Sequence, residues 1–313
     1  MSQAFVHQPV MVAEVVALLA EVPAGLVVDA TLGGAGHARA ILESRPDLRL
    51  VGIDRDADAV AAATESLASF GDRVVAVHHA RFDALATLVV EPVSAVLFDL
   101  GVSSPQLDDA ERGFSYRTDA PLDMRMDRSQ ARTAADVVNG ADELTLSRLV
   151  ADSGERRFAR RIARRIVEAR PITTTGQLAE VVRAAIPAAT RRTGGHPARR
   201  TFQAIRLAVN EELDVLGPSI DAAIALLSPG GRCVALAYHS GEDRVVKERF
   251  ADAASGGCTC PPTLPCVCGA VPLVRLLNRG ARKPSAAEVA ANPRAESARL
   301  RACERIGAPE AVR

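Results

Sequence analysis

A glycine-rich turn and an aspartate, Asp54, fall where an adenosine-like ligand would be held. The turn Asp29-Ala-Thr-Leu-Gly33-Gly-Ala-Gly36-His37 follows the apolar run Leu26–Ala30. Glycines at such a turn let the backbone approach a ligand and aim helix N–H groups at it. The dinucleotide fingerprint asks for G-x-G-x-x-G, but Gly34-x-Gly36 is followed by Arg39 where the third glycine belongs. That weakens a nicotinamide reading. Asp54 closes Gly52-Ile-Asp54 and stands 21 positions after Gly33. A carboxylate there can accept both ribose hydroxyls of an adenosine, which serves NAD and S-adenosylmethionine alike. The plainer readings are a loop-capping aspartate for Asp54, an exposed first-turn residue for His37, and core packing for Phe82. As an aromatic just past a third strand, Phe82 can equally stack on adenine.

Two further groups carry chemistry. His239-Ser240-Gly-Glu242-Asp243-Arg244 follows the apolar run Arg232–His239. Ser240 with Asp243 three residues later reads as a capping box for a helix. His239 is not needed for that cap, which makes it the better candidate for a substrate pocket; a core or surface histidine is the alternative. Cys258-x-Cys260 and Cys266-x-Cys268 gather four thiols in the Gly/Pro/Cys loop Ser255–Ala270. Zinc takes four cysteines, usually at C-x₂-C rather than C-x-C spacing. Cys233 and Cys303 read as core.

The elements that must position these residues alternate. Strands at Leu26–Ala30, Leu48–Asp54, Arg73–His78 and Val93–Leu100 are separated by a small-residue helix from Ala35 and an alanine-rich helix over Asp56–Phe70. Such alternation predicts a parallel sheet covered on both faces. A further strand, Arg232–His239, comes much later, after Pro229-Gly230-Gly231. Between them lies a polar loop, Gly101–Asp127, long enough to suggest a functional role, and then helical patterning. The chain therefore reads as α/β, with residues 1–105 and 199–313 forming the sheet domain and 106–198 an inserted helical lobe. Arg199–Leu216 is expected to return to the sheet core.

Composition bounds the partners. The 313 residues are 48% hydrophobic, enough for a large core. No run of ~18 apolar residues predicts a membrane span, and Met1–Val12 lacks the basic and apolar regions of a signal peptide. Six cysteines in a chain of this length suit a reducing cytoplasm. The net charge of zero hides an asymmetry: 36 of 38 basic residues are arginine, Lys247 and Lys283 being the exceptions. From Arg156 to Arg200 twelve arginines face two acids, Glu168 and Glu180, a local charge of +10. The densest part is a helix expected over Glu155–Arg170. Phe158, Ile162 and Ile166 form its apolar side and Arg156, Arg157, Arg160, Arg161, Arg164 and Arg165 the opposite face. GC-rich coding explains a bias toward arginine but not this clustering, which suits a polyanion.

The run Phe98-Asp99-Leu-Gly101-Val-Ser103-Ser104-Pro105-Gln106-Leu107-Asp108 is not demanded by any general fold rule. Neither are Arg112-Gly113-Phe114-Ser115 and Pro121-Leu122-Asp123-Met124-Arg125-Met126-Asp127. Together they closely resemble the MraW-type bacterial 16S ribosomal RNA cytosine-N4 methyltransferases. The resemblance extends to His7-x-Pro9-Val10, Gly154-Glu155-Arg156, the block His196–Ala204, Val209-Asn210, His239–Arg244, Asn292-Pro293-Arg294 and Ser297-Ala298-x-Leu300-Arg301. It implies a Rossmann-like methyltransferase domain interrupted by a helical substrate-recognition lobe. It also implies S-adenosylmethionine as cofactor, and as substrate a decoding-centre cytosine of 16S rRNA in the small subunit. The cofactor contacts it implies are Ala35, Gly36, His37, Asp54, Phe82, Asp99 and Gln106, and it implies no metal, so the four cysteines are expected reduced. Two departures, Gly241 for leucine and Tyr238 for phenylalanine, leave the pocket shape beside His239 open.

N4 of cytosine is a poor nucleophile because its lone pair is delocalised into the ring. An oriented acceptor for the amine hydrogens and close alignment of the reacting atoms are what help. Asp99 and the Ser103-Ser104-Pro105 turn are placed for this work; Asp99 holds the cofactor, polarises the amine, or does both. Asp99 and His239 are thus the catalytic candidates. An oxidoreductase, or a ribosome-binding protein with a vestigial nucleotide pocket, are the competing readings; the missing glycine and the arginine-rich lobe disfavour the first.

Overall fold

The computed structural model describes residues 9–188, 196–261 and 267–307. His7, Arg191, Arg192, Cys266 and the tail from Pro309 lie outside the described residues. The chain divides into two compact units, one made of residues up to Gly101 and from Val215 onward, the other of Val102–Asp214. Among the described residues no helix is long and apolar enough to cross a membrane.

The first unit is built on a seven-stranded sheet. Its strands are β1 (Gly25–Asp29), β2 (Leu48–Asp54), β3 (Val74–His79), β4 (Val93–Asp99), β5 (Leu227–Ala237), β6 (Val274–Leu276) and β7 (Arg299–Arg305), in the order β3-β2-β1-β4-β5-β7-β6. β1 to β5 pair in parallel, and β7 runs antiparallel between β5 and β6. This is the doubly wound, Rossmann-like sheet expected. The strand order reverses direction between β1 and β4, the kind of switch point at which open α/β sheets hold ligands. β4 is buried at six of its seven positions and β1 at four of five, as strands with both faces covered must be.

β6 and β7 are absent from the sequence reading. β7 alternates buried Leu300 and Ala302 with Arg299, Arg301 and Glu304, so it lacks the continuous apolar run of a central strand. Two of its charges, Arg301 and Glu304, are paired by tertiary partners instead. Arg301 pairs with Asp243 at 2.7 Å, and Glu304 receives Arg232 at 2.8 Å and Arg275 at 2.7 Å.

Among its described residues, the regular elements of the second unit are helices. Its core gathers Val137, Val138, Leu146, Val150, Ile162, Ile166, Leu178 and Val182 with Phe202, Ile205 and Val209. The last three belong to the helix Arg199–Asn210. That helix packs in this unit, so the sequence boundary at residue 198 falls sixteen positions short of the observed Asp214. The reason is its apolar face, which matches the helical core rather than the sheet. The long segment 101–127 is not open loop either. Leu122, Met124 and Met126 are buried in the same core. Asn210 ties that segment down: its Oδ1 accepts the Met126 N–H at 2.9 Å and its Nδ2 donates to Met124 O at 2.8 Å. The buried Arg112 guanidinium donates to Met126 O at 2.8 Å. Gly113, at φ +70°, has no room for a side chain, because a Cβ there would lie 2.3 Å from Pro121 O. Much of the signature string is therefore packing.

Candidate active site at the carboxyl edge of the sheet

β1, β2 and β4 each end in an aspartate, Asp29, Asp54 and Asp99. The turn after β1 bonds to all three. Thr31 N–H donates to Asp29 Oδ1 at 3.2 Å, and Thr31 Oγ1 accepts the Asp99 N–H at 2.6 Å. Gly33, at φ +51°, donates its N–H to Asp54 Oδ2 at 2.7 Å. Ala35 caps the helix Gly36–Ser44 in the left-handed region, φ 64°. A side chain there is strained, and such strain concentrates at ligand clamps. Gly36 is required by packing, since a Cβ would meet Pro9 Cγ at 2.2 Å.

His37 is buried and sits between two acceptors. Its Nε2 lies 2.9 Å from Val10 O and its Nδ1 3.4 Å from Asp99 Oδ2. Both nitrogens must carry hydrogen to satisfy such neighbours, which makes the ring an imidazolium. Burial pulls its pKa down, but the hydrogen bond and charge of Asp99, the charge of Asp29 and the Val10 carbonyl outweigh that and push it up to about 9. Asp29 moves as a buried acid should: desolvation raises it to about 7, against the opposing pull of His37 and the Thr31 N–H. Asp54 is also raised by burial, with the Asp56 and Gly33 N–H groups working against the shift. Tyr238 donates its hydroxyl to Asp99 Oδ1 at 2.7 Å. Burial, followed by the charge of Asp99, drives the phenol well above its ordinary range, so it remains a donor.

Asp99 and His37 are thus brought together, with Asp29, Thr31 and Tyr238 as partners that the sequence reading did not assign. Asp29 had a visible signal, since it ends its strand as Asp54 and Asp99 end theirs. In the sequence Tyr238 stands out only as a departure from a pattern. Asp54 accepts from Gly33 and, at Oδ1, from Asp56 N–H at 2.8 Å. Phe82 is half-buried and meets Phe98 edge-to-face, centroids 5.8 Å apart. Gln106 belongs to the second unit. It is buried there, and its Oε1 accepts the Ser103 N–H at 3.1 Å in a reciprocal capping box with Ser103.

The reading of His239 needs correction. It is itself the N-cap of the helix Ser240–Ser255, its Nδ1 accepting from Gly241 N–H at 3.1 Å and Glu242 N–H at 3.3 Å. The buried Glu242 reciprocates, its Oε2 accepting from Tyr238 N–H at 2.8 Å and His239 N–H at 3.2 Å. Ser240 is the first helical residue, and Asp243 is turned to Arg301. The extended backbone of the strand runs on to His239, at φ −141°, so the cap falls one residue earlier than the serine motif indicates. Acceptance at Nδ1 puts the ring proton on Nε2, which lies 3.0 Å from Glu242 Oε1.

In the helical unit the arginine helix spans Ala159–Glu168, shorter than expected, and buries Ala159, Ile162, Ala163 and Ile166. Phe158 holds the N-cap position, half-buried, with Arg157 over its ring at 5.0 Å. Arg156 and Arg157 therefore precede the helix, and Gly154, at φ +93°, makes the bend before them. All six arginines are exposed. Arg165 pairs with Glu168 at 3.0 Å; among the described residues Arg156, Arg160, Arg161 and Arg164 form no ion pair.

The chain matches the model of the MraW methylase family over residues 4–306. It is 51% identical to the ribosomal RNA small subunit methyltransferase H of Symbiobacterium thermophilum, over 98% of this chain and 99% of that protein. The proteins of the same name from Thermobifida fusca and Geobacter sulfurreducens are 52% and 51% identical, covering 98% and 96% of this chain and 96% and 99% of their own. Among solved structures, an rRNA methylase from Streptococcus thermophilus aligns over 97% of this chain and all of its own at 11% identity, TM-score 0.44. The N-methyltransferase NodS from Bradyrhizobium japonicum, in complex with S-adenosylhomocysteine, aligns over 96% and 86% at 10% identity, TM-score 0.39. Half of the residues shared along the full length of proteins from distant bacteria, and a family match that spans both units, leave one conclusion: the chain belongs to the MraW methylase family.

Proposed function

We propose that this chain transfers the methyl group of S-adenosylmethionine to the N4 amino group of a decoding-centre cytosine in 16S ribosomal RNA, acting on the small subunit. Methylation of small-subunit rRNA follows from the names of relatives that share half of its sequence end to end. The choice of atom and base rests on the resemblance of the signature string and on one observation, the setting of Asp99. Each of its carboxylate oxygens faces one protein donor, Tyr238 or His37. A carboxylate oxygen has two acceptor sites, so capacity remains for the hydrogens of an amine.

The residues at the sheet edge fit the cofactor. Asp54 Oδ1 and Oδ2 each accept one backbone N–H, which leaves an acceptor site on each for the two hydroxyls of a ribose. Phe82 would stack on adenine, and the Ala35-Gly36-His37 turn would approach the rest of the molecule with backbone. S-adenosylmethionine, when bound, supplies a methyl group on a positively charged sulfur. Asp99 accepts from the target amine, lets its nitrogen rehybridise and holds it in line. Protonated His37 and the Tyr238 hydroxyl fix the carboxylate in position. His239 acts behind them as a positioning residue, because its cap holds Tyr238 at the end of β5. The exposed arginines of the helical unit neutralise RNA phosphates, to which a guanidinium can bond bidentately.

The decisive experiment uses small subunits from cells lacking this protein. They are incubated with the enzyme and S-adenosylmethionine, and the nuclease-digested rRNA is read by mass spectrometry. N4-methylcytidine at a single decoding-centre position is expected. A methyl group on carbon 5 or a ribose 2′-oxygen would overturn the assignment of Asp99 to an amine. Running naked 16S RNA in parallel tests the assembled subunit as substrate.

A further inference from the structure

The helix Ser240–Ser255 carries His239 at one end and a knot of chain at the other. Gly256, at φ 63°, ends the helix, and Gly257 N–H returns to Asp252 O at 3.0 Å. Cys258 N–H bonds Ser255 O at 3.2 Å and Leu273 N–H bonds Ala253 O at 2.8 Å. Gly256 lies so close to the returning strand of chain that a Cβ on it would stand 2.4 Å from the Val271 backbone. This crossing brings residues on either side of the loop together. Cys258 and Cys268 end with their Sγ atoms 3.6 Å apart, and the Sγ atoms of Cys258, Cys260 and Cys268 all lie within 4.8 Å of one another.

We propose that Cys258, Cys260 and Cys268 bind a structural zinc ion, against the sequence expectation of no metal. In a tetrahedral thiolate site with Zn–S of about 2.3 Å, neighbouring sulfurs stand about 3.8 Å apart, close to the 3.6 Å between Cys258 and Cys268. A disulfide, with sulfurs about 2.05 Å apart, accounts for two of the three at most. The convergence of a third sulfur is what a metal requires. Soft thiolates with no imidazole or carboxylate in the set favour zinc over hard cations. The thiols bind as thiolates and release their protons to solvent. The ion staples the loop between the helix and β6. It stands about 24 Å from His239 along a helix of 16 residues rising ~1.5 Å each, so its part is structural and separate from methyl transfer.

The full-length protein, purified anaerobically from zinc-supplemented medium, should carry about one zinc per chain by elemental analysis. X-ray absorption should show at least three sulfur neighbours, and titration of the thiols with a mercurial should release the zinc stoichiometrically. Cys258→Ser and Cys268→Ser should each lose the metal while still methylating small subunits. Cobalt(II) added to metal-free wild-type protein should give the thiolate charge-transfer band, and neither variant should. Because the mercurial and cobalt readings need no variant, misfolding of a variant leaves the test intact. Protein that isolates without metal and gives no cobalt–thiolate band overturns the proposal, as does stoichiometric iron or copper, or a Cys258–Cys268 disulfide formed under thiol-protecting conditions.

Discussion

The two units use charge in opposite ways. In the sheet unit, ionisable groups gather, buried or half-buried, at the carboxyl edge of the sheet and are displaced from their ordinary protonation: Asp29 up to about 7, His37 up to about 9, Asp54 and Tyr238 raised by desolvation. Each is held by a backbone N–H, a carbonyl or a neighbouring side chain. In the helical unit the arginine face is exposed and largely without acidic partners. Burial makes a charge responsive to its neighbours and so suited to chemistry. Exposure keeps it available to a polyanion at little desolvation cost. If that contrast is right, substitutions in the two units should fail in different assays.

The largest effect should come from Asp99. Asp99→Ala removes the acceptor common to His37 and Tyr238, and single-turnover methyl transfer should fall by about 10²–10³-fold or more, the scale for losing one preorganised polar group. Asp99→Asn, which keeps an acceptor for Tyr238, separates placement from charge. If turnover returns to wild type at saturating cofactor, Asp99 serves cofactor binding alone.

A change in the helical unit should cost stability instead. Gly113→Ala puts a methyl group 2.3 Å from Pro121 O at φ +70°. Overpacking together with an unfavourable backbone region should remove about 2–4 kcal/mol, read by urea unfolding, with cofactor affinity unchanged in the folded fraction. An unchanged midpoint would mean that the segment 113–123 adjusts freely and is not the packed base of this unit.

His37 offers a pH test. Its folded pKa, about 9, lies above the ordinary 6.5, so the folded state holds its proton more tightly than the unfolded chain. The stabilisation is fully present below pH ~6.5 and is lost as pH rises through about 9. Asp29, raised from 3.8 to about 7, adds a decline of the same sign at lower pH, between about 4 and 7. Unfolding free energies measured from pH 7 to 9.5 should therefore fall more steeply for wild type than for His37→Gln, by up to about 3 kcal/mol across the window. Parallel curves would remove the buried imidazolium.

The parts of the molecule legible in sequence share a physical reason. β1, β2 and β4 are visible because central parallel strands are continuous apolar runs, and the ends of β2 and β4 locate Asp54 and Asp99; β3, at the sheet edge, shows only through its short apolar run Val74–Val77. β7 is not visible, because its polar positions are satisfied by Asp243, Arg232 and Arg275 from remote parts of the chain. Tertiary ion pairs leave no local mark. The role of His239 is hidden for a related reason: histidine is an uncommon N-cap, and the neighbouring Ser240 and Asp243 carry the familiar motif. The segment 101–127 looked like an open functional loop because the bonds of Asn210 to Met124 and Met126 join residues more than eighty positions apart.

Asp54→Ala should weaken S-adenosylmethionine binding by about 1.5–3 kcal/mol, the scale of a hydrogen bond to a charged group. Its loss also leaves the Gly33 and Asp56 N–H groups without their acceptor, so the free protein should lose stability as well. Calorimetry on the folded variant decides: unchanged affinity would make Asp54 a turn-former only.

The smallest effect on the fold, and the sharpest test of the contrast, lies on the arginine face. Within the helix Ala159–Glu168, Arg160 and Arg164 are one i, i+4 pair of like charges and Arg161 and Arg165 another; each costs a few tenths of a kcal/mol. Nothing in the unit's core depends on them, since its contacts are made by Ile162, Ala163 and Ile166. Changing Arg157, Arg161 and Arg164 to Gln should therefore leave the unfolding midpoint unchanged or slightly higher, and cofactor affinity untouched. Affinity for small subunits should fall. The log–log salt slope of binding should flatten by up to about 0.7–0.9 for each phosphate contact removed. A triple variant that binds and methylates subunits like wild type across a salt titration would reduce the helix to a solvated surface. A variant that loses stability instead would mean that these guanidiniums serve the helical unit, as the buried charges serve the sheet.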